Sequence, residues 1–373
     1  MTKEFIPFEL ERFMSIWENL VEYNLSESGV HPLTMLELVQ DKQVLDQMLN
    51  TSLGYPQTNG SIELRERISA LYPGTSIDNV LVTTGAAQAN FTSLWTLMQP
   101  GDEIAVMLPN YMQIWGIAQN MGLKVNTFSL KEELDWGLDI EELNHAVTPN
   151  TKFIAVCNPD NPTGHIFTPE EMDAVVAAAQ RSGAWLLADE VYAGSERVNE
   201  DVTPSFWGRY EKVLAIGSMS KAYGLPGLRV GWVISPAHVS QDMWARQDYI
   251  TIGTGMLDNK LAAYALSAEV RPRLLQRTRA YVRQGYQNFE DWAQRHPGVF
   301  SWVPPQAAAI VFLRYNAKVN SSQLIEQLIR VKKTYFVPGD HFGLDGHIRL
   351  SFGLSREMLE EGLDRLNFLL QNG

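Results

Sequence analysis

The stretch VLAIGSMSKAYGLPGLRVG, residues 213–231, decides how the rest of the chain is read. It opens as an apolar run from Val213 to Gly217, passes Ser218 and Ser220, and reaches Lys221, with Arg229 eight residues beyond. An apolar run that closes on small polar residues fits a buried strand entering a loop. A lysine in such dry surroundings has an amine that can be neutral, the state in which it forms a Schiff base with a carbonyl compound. The serines offer hydroxyl donors and Arg229 a cation at fixed offset. The same letters also fit a strand that ends in a solvated Ser-Lys turn, so the choice falls to the rest of the chain.

The chain has 373 residues and 45% hydrophobic content, enough for a sizeable core and, on a prior of roughly 150 residues per domain, about two domains. Its net charge of −13 disfavours nucleic acid or anionic lipid as main partner, because phosphate-binding surfaces are basic. No apolar stretch reaches the roughly 18 residues of a membrane span, and the N-terminus lacks the apolar core of a signal peptide, so a cytoplasmic location is expected. The single cysteine, Cys157, excludes an internal disulfide and multi-cysteine metal sites; its apolar run, residues 152–157, makes it a core residue. Seven histidines are scattered without ligand spacing, and no metal is expected.

Strand and helix patterns alternate through the middle of the chain, which predicts a parallel sheet covered on both faces. Strands are expected at 78–85, 103–108, 152–157, 185–189, 213–217 and 229–234. Helices are expected at 86–98, before Gly122, and from the Thr168 cap, with Pro169 and the capping-box Glu171, to Gly183. Beyond about residue 265 the texture becomes a long arginine-rich helix, about 270–296, short strands near 308–314 and 347–352, and a final helix capped by Ser355. The expected division is a large domain over 41–270 and a small α+β domain built from 1–40 and 271–373, since the first 40 residues fit no strand of the central sheet. No repeat is visible, which excludes a solenoid.

Three more segments place polar groups just past apolar strands, where open α/β sheets bind ligands. TTGAAQA at 83–89 is a small-residue turn entering a helix; the amides of Gly85, Ala86 and Ala87 can cradle a phosphate there, or simply form a tight turn. No GxGxxG pattern supports a dinucleotide. NPDNPTG at 158–164 is a rigid turn that fixes Asn161 as a side-chain donor, or serves as a plain loop. In DEVY at 189–192, Asp189 ends an apolar strand, and a carboxylate there requires a cation such as a protonated ring nitrogen. A fourth candidate is Arg349 in HIRLSFG, on the same face of a strand as Ser351, suited either to bidentate capture of a carboxylate or to an exposed edge.

Together these segments resemble the class I/II aminotransferases of fold type I, the aspartate aminotransferase superfamily, which use pyridoxal 5′-phosphate (PLP). The resemblance runs from about Tyr55 to Phe352 and rests on separate motifs in the family's order and rough spacing. It implies an α/β fold with a central, mostly parallel sheet flanked by helices and a smaller α+β domain. It makes Lys221 the Schiff-base lysine, Asp189 the partner of the pyridinium nitrogen, and Asn161 and Tyr192 hydrogen-bond partners of the phenolic oxygen. Tyr111, in LPNY, resembles the aromatic that stacks on the ring; without a cofactor it reads as a core tyrosine. Phosphate ligands would be the amides of Gly85, Ala86 and Ala87, with Ser218, Ser220 and Arg229.

Where many relatives carry a hydroxyl residue in the phosphate turn, this chain has Ala86 and Ala87. The resemblance further implies that Tyr55 reaches the phosphate of a partner subunit, so the active unit is a homodimer. Arg349 would grip the α-carboxylate of an amino acid, and Gly29 matches the small residue at the substrate entrance. The implied reaction is ping-pong transfer of an amino group between an L-α-amino acid and a 2-oxo acid. The same constellation serves a lyase or cyclase, and LSESGVHPLT at 25–34 is similar to capreomycidine synthase, which cyclises a hydroxylated arginine. A PLP-binding regulator without turnover is a third reading, disfavoured because every residue needed for chemistry is present.

Overall fold

Parallel strands joined by helices need long crossovers, whereas a short return forces the next strand to run the other way. Both cases occur in the central sheet of this computed structural model, which describes residues 5–372. Its eight strands lie in the spatial order Val80–Thr83, Gly231–Ile234, Val213–Ser218, Trp185–Asp189, Thr151–Cys157, Glu103–Leu108, Lys124–Lys131 and Gly137–Leu138. The run from Val213–Ser218 to Lys124–Lys131 is parallel throughout. Gly231–Ile234 is antiparallel to both its neighbours. The reason lies in the lysine loop, which contains only the short 3₁₀ turn Pro226–Leu228 and no crossover helix. The parallel strands end side by side at Ser218, Asp189, Cys157 and Leu108, so their loops emerge on one edge.

Most expected elements form with shifts of one or two residues. The phosphate-turn helix spans Gly85–Leu97 and its strand shortens to Val80–Thr83 behind a 3₁₀ turn at Ile77–Asn79. Thr168 and Glu171 make the reciprocal capping box, and Gly122 and Gly183 close their helices in the left-handed conformation. The arginine-rich helix is Arg271–Arg295, and the last helix, Arg356–Asn372, follows Ser355, whose hydroxyl accepts from the Met358 amide at 3.3 Å. The strand Lys124–Lys131 has no counterpart in the sequence reading, because its alternation of Lys, Asn, Thr and Ser with Val, Phe and Leu is that of a half-exposed strand next to the sheet edge.

A second sheet has the order Phe300–Trp302, Ile310–Tyr315, His347–Ser351 and Val337–Pro338, all antiparallel. Arg349 pairs with Phe312 on one side and Val337 on the other and is 1% exposed, so the edge-strand reading of this arginine is corrected: its strand is internal. Tyr23–Asn24 pairs in parallel with Thr334–Tyr335. The preceding helix, Glu9–Trp17, buries Leu10 and Met14 one turn apart. Phe13 packs on Tyr335 and His341, and Phe8 meets Tyr111 edge-on at 4.9 Å, so this helix joins the small sheet to the edge of the large one. Among the described residues no helix is long and apolar enough to cross a membrane.

Candidate active site

At the strand ends lies a cavity of about 430 Å³. Lys221, Asp189, Asn161, Tyr192, Tyr111, Ser218, Ser220, Arg229, Arg349, Ala86 and Ala87 all line it, so segments up to 263 residues apart in sequence, from Ala86 to Arg349, converge. Burial and the nearby arginines act on Lys221. Desolvation holds its amine below the ordinary lysine range, with Glu27 pulling the other way.

Asp189 is fixed by Asn90, whose amide nitrogen donates to Oδ2 at 3.1 Å, and by the Val191 amide at 3.3 Å to Oδ1. Burial pushes its carboxyl above the ordinary range, and these donors and Lys221 oppose the shift. No salt bridge neutralises Asp189 among the described residues. Tyr192 is buried, its hydroxyl pushed up by desolvation and hydrogen-bonded to the Ser28 side chain. Asn161 accepts from Arg349 Nη1 at 2.9 Å, and Arg349 Nη2 donates to the Ser26 carbonyl. That leaves Arg349 Nε buried without a partner.

The opposite end is built by close backbone approach. Gly231 lies against Gly85 and Ala86, where a Cβ would sit 2.5 Å from the Ala86 nitrogen; any side chain there would push the turn away. Gly85 has φ +77°, and a Cβ on it would stand 2.6 Å from Arg229 Nη2. Arg229 Nη1 donates to the Pro226 carbonyl at 2.9 Å. Ser218 Oγ donates to Ser220 Oγ and accepts from the Ser220 amide, both at 3.0 Å. Ala86, Ala87, Ser218, Ser220 and Arg229 thus border the cavity together with Asp189, Asn90, Lys221 and Arg349.

Of the residues singled out in the sequence, Gly85, Gly29 and Tyr55 do not border this cavity. Gly29 stands behind the lysine, its would-be Cβ 3.6 Å from the Ser220 carbonyl and 3.9 Å from Lys221 Cδ. Tyr55 is 88% exposed on the protein surface. Cys157 also reaches the cavity wall, buried, its thiol donating to the Pro159 carbonyl at 3.2 Å and raised by burial. Several lining residues were invisible to motif reading, chiefly Asn90, Gln113, Ser28, Glu11, Glu18 and Glu27. Asn90 carried no distinct signal, because Gln88, Thr92 and Ser93 are further polar residues buried on the same helix. The glutamates carried none, because acidic residues on an N-terminal helix read as solvated.

The set fits PLP on two observations of this structure. Asp189 is a desolvated carboxylate held by neutral donors, suited to a protonated ring nitrogen, and the Gly85–Ala87 turn with Ser218, Ser220 and Arg229 offers donors for a phosphate dianion. The pattern of the aminotransferase class I and II family matches residues 19–366. The chain belongs to that family. It is 29% identical to capreomycidine synthase of Streptomyces vinaceus over 91% of this chain and 87% of that protein. It is also 29% identical to an aspartate aminotransferase of Thermotoga maritima, over 85% and 84% of the two chains. A solved PLP-dependent aminotransferase from Streptococcus suis superposes with a TM-score of 0.91 at 30% identity, covering 99% of this chain and 98% of that one. The protein is an enzyme of the PLP-dependent aminotransferase class, with the fold and cofactor that the resemblance implied.

Proposed function

We propose that this family member moves an amino group between an L-α-amino acid and a 2-oxo acid with Lys221, Asp189 and Tyr192 as its catalytic residues. The observation that carries the reading is the meeting of a desolvated lysine, an unpaired buried carboxylate and a buried arginine with a free donor in one cavity.

PLP, when bound, supplies the electron sink for breaking a bond at the substrate Cα. The Lys221 amine, held below the ordinary lysine range by burial, is the group that takes the Cα proton and returns it. Asp189, kept in position by Asn90, would pair with the ring nitrogen and favour its protonated form. Tyr192 and Asn161 would hold the phenolic oxygen, and Tyr111 would stack on the ring. The Gly85, Ala86 and Ala87 amides with Ser218, Ser220 and Arg229 bind phosphate. Arg349 binds the α-carboxylate, which fixes the bond that faces Lys221. Gly29 leaves room beside the lysine stem at the substrate side.

The large domain of this proposal is 41–270 and the small one 1–40 with 271–373, supported by the two separate sheets. The working unit is a homodimer in which Tyr55 reaches the partner's cofactor. Support comes from the exposed apolar side chains Leu53, Tyr55, Tyr249 and Ile252, on segments tied together where the Gln247 side-chain amide donates to the Thr58 carbonyl at 2.7 Å. A cytoplasmic setting completes the reading, in keeping with a buried, unpaired cysteine. The likeness to capreomycidine synthase favours one second reading, cyclisation or elimination at the same site. Incubating the PLP-loaded protein with an amino acid alone separates the two. A transaminase accumulates stoichiometric pyridoxamine phosphate and a 2-oxo acid; a lyase or cyclase leaves the cofactor as the aldehyde and turns over.

A further inference from the structure

The cavity carries more negative charge than its proposed chemistry uses. Its cations are Lys221, Arg229 and Arg349, and its carboxylates are Asp189, Glu11, Glu18 and Glu27. On the reading above, Lys221 engages the cofactor, Arg229 its phosphate, Asp189 its ring nitrogen and Arg349 the α-carboxylate. Three glutamates are left. Glu11, Met14 and Glu18 fall at three- and four-residue spacing along one stripe of the Glu9–Trp17 helix and its C-cap, and all three line the cavity. Glu27 reaches the same wall from the loop before Gly29.

Glu11 accepts a hydrogen bond from the Tyr111 hydroxyl at 2.5 Å, which fixes it in place. Neither Glu18 nor Glu27 forms a side-chain hydrogen bond or salt bridge among the described residues. Burial, Glu27 and Glu11 together push the Glu18 carboxyl up, so like charges gather at it, while Lys221 is the cation that Glu27 and Glu11 act on. Phe8, Leu10 and Met14 line the same cavity, apolar surface of the kind that covers a methylene stem. Arg349, bonded to the Ser26 carbonyl, is 1% exposed with Nε unpartnered, a donor in search of an anion. The lining therefore offers a donor for an anion, apolar surface for a stem, and carboxylates for a cation.

We propose that the site selects amino acids whose side chain ends in a cation, an ammonium or guanidinium, held by Glu18 and Glu27 beside Glu11. This specificity rests on the amino-acid chemistry assigned to the cavity. Each substrate group then meets its complement: carboxylate at Arg349, methylenes at Leu10 and Met14, cation at the glutamates. A substrate ending in a carboxylate meets three like charges and is rejected.

The PLP-loaded protein is tested with L-lysine and L-arginine against L-norleucine, which matches lysine in length but lacks the charge, and against L-glutamate. Cofactor absorbance gives the half-reaction rate. Calorimetry then compares 6-aminohexanoate with hexanoate, two probes that lack the reacting amine. The expected result is a preference of about tenfold or more for each cationic member of a pair, and a fall of that ratio toward one in the double variant Glu18→Gln, Glu27→Gln. Norleucine matching lysine, or hexanoate matching 6-aminohexanoate, overturns the proposal while leaving the PLP reading intact. If the double variant does not fold, the wild-type calorimetry decides alone. If no amino acid alters the cofactor absorbance, the underlying reading fails and this one with it.

Discussion

Asn90 donates a hydrogen bond of 3.1 Å to Asp189, linking the middle of the phosphate-turn helix to the end of a strand 99 residues later. A carboxylate desolvated as Asp189 is would otherwise rotate or protonate. Replacing Asn90 with Ala removes a hydrogen bond to a charged group, worth about 1.5–3 kcal/mol, so PLP is expected to bind about 10–100-fold more weakly. Equilibrium titration of the stripped protein with PLP measures this; unchanged affinity would remove Asn90 from the cofactor's support.

Lys221→Ala is expected to abolish turnover and the yellow colour of the loaded enzyme. Borohydride reduction of the wild type followed by peptide mass spectrometry should find the cofactor mass on Lys221. A label on another lysine ends the assignment.

Arg349 makes two hydrogen bonds inside the protein and keeps Nε free. A lysine in its place has one ammonium where the arginine presents a fork. Arg349→Lys should lower kcat/KM for every amino acid by about 10–100-fold, the equivalent of losing one charge-assisted hydrogen bond, with cofactor affinity held. Steady-state kinetics over several donors checks it, and a loss confined to one donor would speak against carboxylate binding.

Glu190 is buried behind Asp189, accepts from Ser205 Oγ at 2.9 Å and the Phe206 amide at 2.8 Å, and is pushed up to about 8 by desolvation. An unfolded chain releases this proton near 4.5, so between 4.5 and about 8 the folded form holds more protons and stability falls as pH rises. Asp160, raised to about 7, adds a slope of the same sign. Glu190→Gln keeps both acceptor contacts and removes the charge. Its melting temperature should decline less between pH 5 and 8.5 than that of the wild type; equal declines would mean Glu190 does not titrate in that window.

Leu53 and Tyr249 are 82% and 86% exposed. Aspartate at either is expected to shift the protein from dimer toward monomer in sedimentation. Tyr55→Phe should leave the dimer intact and weaken cofactor binding by about tenfold, for a lost charge-assisted hydrogen bond of roughly 1.5 kcal/mol. A wild type that sediments as a monomer contradicts both.

Local chemistry wrote much of this protein directly. The run from Val213 to Arg229 offered its lysine as a candidate, and the other motifs along the chain favoured a Schiff base over a solvated turn. The capping box at Thr168 and the left-handed Gly122 and Gly183 closures were equally local. The order of the strands, the reversal at Gly231–Ile234 and the burial of Arg349 between Phe312 and Val337 needed the folded chain, since strand neighbours are chosen by packing across long separations. So did the link from Asn90 to Asp189 and the gathering of Glu11, Glu18 and Glu27 over the lysine. The sequence alone determined which chemistry the chain carries, because that depends on residue types at short spacing. Only the tertiary structure decided which charges surround that chemistry, because electrostatic environment is a property of distance in space.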